Sequence, residues 1–127
     1  MSWRDYSTAP PVGTVVCASD ALATVRAQVI VGPRGRFPVI VARTPHGLRA
    51  YVNACPHQYL PLDYRGEQVV SACGGKLLCT AHGASFDILS GGVLAGADCG
   101  LDPVPVVECD QEIRIGTEMP GKTEDDR

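Results

Sequence analysis

Two short motifs decide the fold of this chain: Cys55-Pro56-His57 and Cys79-Thr80-Ala81-His82-Gly83. Each motif offers one thiolate and one imidazole as metal ligands. Two cysteines and two histidines suit a 2Fe-2S cluster in which the thiolates hold one iron and the imidazoles hold the other. The chain is therefore predicted to bind one such cluster. The predicted ligands are Cys55, His57, Cys79 and His82.

The spacing within each motif bears on the main alternative, a structural zinc site, which also uses cysteine and histidine. In C-x-H, one intervening residue allows a tight turn to aim sulfur and nitrogen at different irons, and C-x-x-H does the same from a wider turn. Zinc ligand pairs usually stand two to four residues apart, and no helical H-x-x-x-H follows these motifs. The spacing favours the cluster, and a non-redox zinc-binding module stays open as an alternative.

The wider sequence resembles the Rieske family, in particular its soluble 2Fe-2S ferredoxins. The resemblance runs from about Val39 to Ile115 and covers well over half of the chain. Beyond the two motifs, it is carried by residues 48–53, 61–62, 82–87, 89–96, 105–107 and 113–115. The last three of these segments lie where the family places its final cluster-domain strands and terminal hairpin.

The resemblance implies an all-β Rieske-like fold of antiparallel sheets, with a small cluster-binding subdomain inserted into a base. The 127 residues are expected to form a single domain. The base would comprise residues 1–52 and 104–116, and the cluster-binding subdomain about residues 53–103. Residues 117–127 are polar and are expected to form a loose C-terminal tail.

Departures from the family pattern bear on the reduction potential. High-potential Rieske proteins join an extra cysteine in each motif by a disulfide, whereas this chain has Leu60 and Ala81 at those positions. They also use a serine and a tyrosine to donate hydrogen bonds to sulfur, where this chain has Ala84 and Phe86. Such bonds stabilise the more negative reduced cluster. Their loss implies a potential near the lower end of the Rieske range, about −150 mV.

The resemblance further implies an electron-transfer component rather than an enzyme, so no catalytic residue is predicted. Its expected partners are a flavin-dependent NAD(P)H reductase and a terminal oxygenase. A Rieske oxygenase needs a further large domain for a mononuclear iron, and 127 residues leave no room for it. The alternative within the family is a small Rieske subunit of a larger oxidoreductase, as in nitrite reductase assemblies.

Composition excludes several classes of protein. Charged residues make up 20% of the chain and apolar residues 45%, which suggests neither disorder nor a membrane protein. The net charge of −3 argues against nucleic acid as a partner. The amino-terminal residues lack the pattern of a signal peptide, and the longest apolar runs are strand-sized. The expected location is therefore the cytoplasm, with no membrane contact.

Short apolar stretches separated by 14 glycines and 10 prolines predict strands. Residues 25–31 and 37–43 are expected to pair around a turn at 32–35, and a turn at 44–47 leads into a strand at 48–52. A second hairpin, of residues 104–108 and 112–115, is expected to return the chain to this first sheet. Residues 64–67 to 74–76 are expected to form an extended hairpin between the motifs.

A few single residues complete the predictions. Cys17, Cys73, Cys99 and Cys109 show no disulfide framework and are interpreted as thiols, with Cys99 in the loop that covers the cluster in the family. His46 has no cysteine at ligand spacing and is predicted to be an exposed turn residue. Gly83 is predicted to adopt a positive φ or to allow a close approach to the cluster. Gly96-Ala97-Asp98 replaces the usual Gly-Pro of the covering loop.

Overall fold

The computed structural model describes residues 3, 6–54, 61–64, 66, 69–71, 74–80, 83–97 and 99–116. Its regular elements are nine strands in three antiparallel sheets of three strands each. The strands are β1 Val15–Ala18, β2 Val25–Gly32, β3 Gly35–Thr44, β4 Gly47–Val52, β5 Lys76–Leu78, β6 Ser85–Asp87, β7 Val93–Ala95, β8 Val106–Cys109 and β9 Glu112–Ile115. A short 3-10 turn spans Ser19–Ala21. The predicted all-β fold of antiparallel sheets is confirmed.

The sheet β2-β3-β4 is the most regular part of the fold. Strand β2 pairs with β3 in continuous register from Val25↔Ala42 to Gly32↔Gly35. The strands are longer than predicted because the ladder continues up to the turn, where Gly35 takes a φ of +125°. His46 lies exposed in the turn between β3 and β4, as predicted.

The apolar run in β3 is buried on both faces of its sheet. Val39 and Val41 belong to one hydrophobic core, whereas Ile40 and Ala42 belong to a second. Successive residues of a strand point to opposite faces, so this one strand serves both cores. The first core joins β2-β3-β4 to the sheet β1-β9-β8, and we call these two the base sheets.

The terminal hairpin differs from the prediction. It forms, with β8 starting at Val106, but it pairs with β1 rather than returning to β2-β3-β4. Strand β1 was not predicted, because its four residues carry too short an apolar pattern and its register shifts between Val15 and Cys17. Its partner strand lies almost a hundred residues further along the chain, so no local turn signal announces the pairing.

The third sheet, β5-β6-β7, is built from strands of three residues each. Ahead of β5, Val70 forms a bridge with Leu77, and the Leu78 amide donates to the Val69 carbonyl at 2.8 Å. These contacts agree with the expected hairpin between the motifs as far as it is described, since residues 65, 67, 68, 72 and 73 lie outside the described residues. The predicted C-terminal tail, residues 117–127, also lies outside them.

Across the described ranges, no helix is long and apolar enough to cross a bilayer.

Candidate metal centre

Cys79 follows directly after β5 and is buried, with 1% exposure. Its amide donates to the Ala84 carbonyl at 2.8 Å, and its own carbonyl accepts from the Gly83 amide at 2.9 Å. Gly83 has a φ of +80°, as predicted, which closes a tight turn that a side chain would strain. The second motif therefore lies on a short loop whose ends are hydrogen-bonded to each other.

Asn53 stands at the end of β4, where the loop with the first motif begins, and its side chain is buried. Its side-chain oxygen accepts from the Leu62 amide at 2.8 Å, and its side-chain nitrogen donates to the Asp63 carboxylate at 3.2 Å. Its own amide donates to the Pro38 carbonyl of β3 at 3.0 Å. These bonds close the first loop across its two ends and attach it to a base sheet.

The two loops are bonded to each other through one carbonyl group. The amide and the hydroxyl of Thr80 both donate to the Leu62 carbonyl, at 2.8 and 2.7 Å. The Leu62 side chain is fully buried in the second core, which also contains Cys79. The end of the first loop therefore lies one residue away from Cys79.

A third loop reaches the same place from β7. A Cβ added at Gly96, which has a φ of +82°, would lie 2.8 Å from Cα of Ala84. Ala97 packs against the second core. The predicted covering loop therefore lies against the second motif's loop, although Asp98 is not among the described residues.

Tyr51 connects β4 to the chain beyond β6. Its hydroxyl donates to the Ile88 carbonyl at 2.7 Å, and its ring leaves no room for a side chain at Gly91. Burial raises the pKa of Tyr51 to about 12, an effect that the nearby Arg49 guanidinium partly offsets. This contact joins a base sheet to the part of the chain that carries the second motif.

Of the four predicted ligands, the structure describes only Cys79. Cys55, His57 and His82 lie outside the described residues, as do Leu60 and Ala81. Within the described residues alone, no three potential ligands lie close enough to hold a metal ion. The four-ligand set stays a prediction.

The remaining cysteines separate into buried and exposed thiols. Cys17 is buried in the first core, and this desolvation raises the pKa of its thiol, although Arg26 and Arg43 oppose the shift. Cys99 and Cys109 are exposed, and none of these three forms a disulfide in the described part of the chain. Cys73 lies outside it.

Sequence reasoning missed two residues that organise this region, Asn53 and Thr80. Thr80 was quoted only as part of the second motif, and Asn53 only as part of residues 48–53, which carry the resemblance. The signal available was a single amide at the end of the apolar run Ala50-Tyr51-Val52. A polar group carried into a core by such a strand needs a hydrogen-bond partner there.

The described residues fit an iron-sulfur cluster. A cysteine with 1% exposure lies in a turn whose backbone bonds are satisfied locally, at the meeting point of three loops. Two of these loops lead into the motifs, which is the arrangement that the binding of one cluster by both motifs requires. Apolar side chains around Cys79, such as Leu62 and Phe86, would keep water from the cluster.

The Rieske [2Fe-2S] domain model matches residues 13–106 of this chain. Among solved structures, the ferredoxin of carbazole 1,9a-dioxygenase from Nocardioides aromaticivorans IC177 is 21% identical. That match covers 85% of this chain and 100% of the ferredoxin, with a TM-score of 0.66. Apo dicamba monooxygenase is 23% identical over 91% of this chain and 36% of its own, with a TM-score of 0.63. No curated protein matches the sequence.

A third similar structure is described as the small subunit of an NADPH nitrite reductase. It is 15% identical, with 84% of this chain and 100% of that chain covered and a TM-score of 0.62. At these identities the three structures establish a shared fold. The family model spans more than half of the chain and favours the cluster over the zinc alternative. The chain belongs to the Rieske [2Fe-2S] domain family and carries one 2Fe-2S cluster.

Proposed function

We propose that this protein is a low-potential one-electron carrier that passes electrons from a flavin-dependent NAD(P)H reductase to a terminal oxygenase. The observation that carries the proposal is the buried Cys79 on a loop bonded to the end of the first-motif loop, in a member of the Rieske family. The cluster supplies the gain and loss of one electron when bound.

The proposed ligands are Cys55, His57, Cys79 and His82. In this proposal the polypeptide holds these ligands and keeps water away from the sulfurs with the second core. It also remains rigid while the charge of the cluster changes. The proposed division into a base, residues 1–52 and 104–116, and a subdomain of about residues 53–103 would place all four ligands in the subdomain. The proposed location is the cytoplasm.

The extent of each structural match supports a carrier. This chain covers all of the dioxygenase ferredoxin but only 36% of dicamba monooxygenase, so its likeness to the oxygenase is confined to a part of that protein. A ferredoxin of a dioxygenase system exchanges electrons with its oxygenase. A terminal oxygenase is accordingly the proposed acceptor here.

The low potential is supported by the residues next to the second motif. Ala84 and Phe86 are both fully buried beside Cys79 in the second core, and neither side chain carries a donor. Since a hydrogen bond to sulfur stabilises the reduced cluster, apolar side chains here favour the oxidised state. We expect a midpoint near the lower end of the Rieske range, about −150 mV.

Metal analysis combined with a potentiometric titration tests this function. We expect two irons and two acid-labile sulfides per chain, the EPR signal of a cluster with mixed histidine and cysteine ligands after dithionite reduction, and a low midpoint. A midpoint near +300 mV, about the upper end for such centres, would contradict a low-potential carrier. Zinc without sulfide would overturn the redox function itself.

The ligand assignment has a matched control. Cys79→Ser is expected to abolish the cluster's absorption, whereas Cys17→Ser is expected to retain it. Both cysteines are buried, but Cys17 belongs to the first core and Cys79 to the second. Equal loss in the two variants would mean that any buried cysteine is needed for folding, and would remove this support for the assignment.

The second candidate function is a small Rieske subunit of a larger oxidoreductase. It is favoured by the full coverage of the chain described as a nitrite reductase small subunit. Purification from the native host separates the two candidates. A stoichiometric complex with a large subunit would support this alternative, whereas a carrier would elute alone and accept electrons from a flavin reductase.

A further inference from the structure

The Leu62 backbone lies at the centre of a hydrogen-bonded path through the described residues. Its amide donates to the side chain of Asn53 at 2.8 Å. Its carbonyl accepts both the amide and the hydroxyl of Thr80, at 2.8 and 2.7 Å. Three bonds therefore converge on one residue that is itself no ligand candidate.

The path continues from Leu62 in both directions. On one side, the Asn53 amide donates to the Pro38 carbonyl of β3, so the path ends in a base sheet. On the other side, Thr80 is adjacent to Cys79, whose amide and carbonyl are bonded within its own turn. A base sheet, the ends of the first loop and the second loop are thus linked by a single chain of bonds.

We propose that Asn53 and Thr80 are positioning residues for the cluster. Acting through the Leu62 backbone, they fix the distance between the first-motif loop and Cys79. This inference rests on the proposed ligand set, because the distance matters only if both loops bind the same cluster.

Burial gives these bonds their weight. The polar side chain of Asn53 is buried, with 5% exposure. In such surroundings a lost partner leaves a polar group without water to replace it, which costs more than an exposed hydrogen bond contributes. Loss of these bonds would therefore loosen the contact between the two loops.

The contact between Asn53 and Asp63 offers a charge-swap experiment. Asn53→Asp keeps an oxygen for the Leu62 amide but places two carboxylates 3.2 Å apart, the present distance from the Asn53 nitrogen to the Asp63 oxygen. Asp63→Asn keeps an acceptor for the side-chain nitrogen of Asn53 and removes no donor. The double variant Asn53→Asp with Asp63→Asn exchanges donor and acceptor and restores the pair.

The measurement is the rate at which the oxidised holoprotein loses its visible absorption in excess iron chelator. We expect Asn53→Asp to lose the cluster roughly ten- to a hundredfold faster than wild type. Asp63→Asn and the double variant are expected to stay close to the wild-type rate. The EPR spectrum of the reduced protein that still holds its cluster should change in Asn53→Asp and return in the double variant. A loss of global stability alone would lower the amount of folded holoprotein without altering the spectrum of what remains.

Thr80 is tested with a matched pair of threonines. Thr80→Val removes the hydroxyl bond to Leu62 and is expected to raise the release rate by about fivefold, whereas Thr80→Ser keeps the bond and the rate. The control is Thr44→Val, since the Thr44 hydroxyl also donates to a carbonyl at 2.7 Å, that of Gly47 in a base sheet. Thr44→Val is expected to leave cluster release unchanged.

Three results would overturn the proposal: wild-type release from Asn53→Asp, no recovery in the double variant, or equal release from Thr80→Val and Thr44→Val. Iron and sulfide analysis of the wild-type protein keeps this failure distinct from that of the proposed function. If wild type holds two irons and two sulfides but the variants release them normally, only the positioning role is wrong.

Discussion

The base sheets and the third sheet are held together in different ways. In the base, β2 and β3 pair from Val25↔Ala42 to Gly32↔Gly35 without interruption. In the third sheet, β5 and β6 share only the pairs from Lys76↔Asp87 to Leu78↔Ser85. The register between β6 and β7 also shifts after one pair. Ladders of this length are too short to fix a structure by themselves.

The difference shows which interactions determine the structure of each region. The base follows from long paired strands whose apolar residues bury a common core, so many residues share the stabilisation. The region around Cys79 depends on a few individual contacts, the hydrogen bonds of Tyr51, Asn53 and Thr80 and the close approach at Gly96. We therefore expect substitutions in the base to change overall stability, and substitutions around Cys79 to change the cluster first.

The largest expected effect comes from truncating one buried side chain in each core. Phe37→Ala removes a fully buried ring that packs against Trp3 and Tyr6, and is expected to cost about 3–5 kcal/mol of unfolding free energy. Leu77→Ala in the second core is expected to cost about 2–5 kcal/mol. Denaturant titrations followed by far-UV circular dichroism and by visible absorption measure the two responses.

The two variants are compared by the order in which the visible and far-UV signals are lost as denaturant is added. In Phe37→Ala, the visible and far-UV signals are expected to be lost together, because the base unfolds as a whole. In Leu77→Ala, the visible signal is expected to disappear at lower denaturant concentration. Coincident transitions in both variants would mean that the two cores form one cooperative unit, and the distinction between them would not hold.

A pair of glycines sharpens the comparison. Gly96 and Gly74 have nearly the same φ, +82° and +80°, but a Cβ at Gly96 would lie 2.8 Å from the Ala84 backbone, whereas one at Gly74 meets nothing within 4 Å. Gly74→Ala is expected to cost about 1–2 kcal/mol for the left-handed backbone. Gly96→Ala adds a steric term and is expected to cost roughly 2–5 kcal/mol in total.

The readout for this pair is again stability together with cluster retention. Gly96→Ala is expected to push the covering loop away from Ala84 and to shorten the lifetime of the cluster in chelator. Gly74→Ala should leave that lifetime unchanged. Equal lifetimes in both variants would mean that the covering loop does not protect the cluster.

Tyr51 links the two regions and makes that link pH-dependent. Its pKa is raised from the model-compound value of 10.0 to about 12, first by burial, so the folded state holds the hydroxyl proton more tightly than the unfolded state. This contribution is fully present below about pH 10 and is lost as the pH rises through about 12. The loss amounts to roughly 3 kcal/mol.

Urea titrations between neutral pH and pH 12 test the link. The wild-type free energy of unfolding is expected to fall steeply in the upper part of this range. Tyr51→Phe should fall less steeply, after an initial loss of about 1–3 kcal/mol from the unsatisfied Ile88 carbonyl. Tyr64→Phe removes an exposed hydroxyl and is expected to follow the wild-type curve. Parallel curves for Tyr51→Phe and wild type would exclude this tyrosine as the source of the alkaline loss.

How far the sequence predicts a strand depends on how local its pairing is. The strands of β2-β3-β4 were predicted to within a few residues, because their turns contain Gly32-Pro33-Arg34-Gly35 and Pro45-His46-Gly47 beside apolar runs. Strand β1 was missed, since its pairing with β9 is long-range and irregular. Local propensity holds no information about such a partner.

The cluster was predictable from the sequence, whereas the contacts that hold the loops around Cys79 were not. Spacing and residue type identify the two motifs, because ligand geometry restricts both. The bonds of Asn53 and Thr80 to Leu62 depend on where two loops meet in space, which neither loop's sequence specifies alone. The positive φ at Gly83 was predictable because a tight ligand turn demands it.

The smallest expected effect concerns the reduction potential. Ala84 and Phe86 lie in the second core beside Cys79, and β6 places the Ser85 side chain on the opposite face. Ala84→Ser and Phe86→Tyr each introduce a hydroxyl that can donate to sulfur, and each such bond favours the reduced cluster. One net hydrogen bond of roughly 0.5–1.5 kcal/mol corresponds to a rise of about 20–65 mV for one electron.

Potentiometric titration of both variants beside Ser85→Ala measures this shift. Ser85→Ala removes a hydroxyl that faces away from Ala84 and Phe86, so its midpoint is expected to equal the wild-type value. A rise in Ala84→Ser or Phe86→Tyr without a change in unfolding free energy would show that local hydrogen bonding sets the potential. Unchanged midpoints in both would instead attribute it to the burial of Cys79 and the charge of the cluster, since those are the terms that the substitutions leave intact.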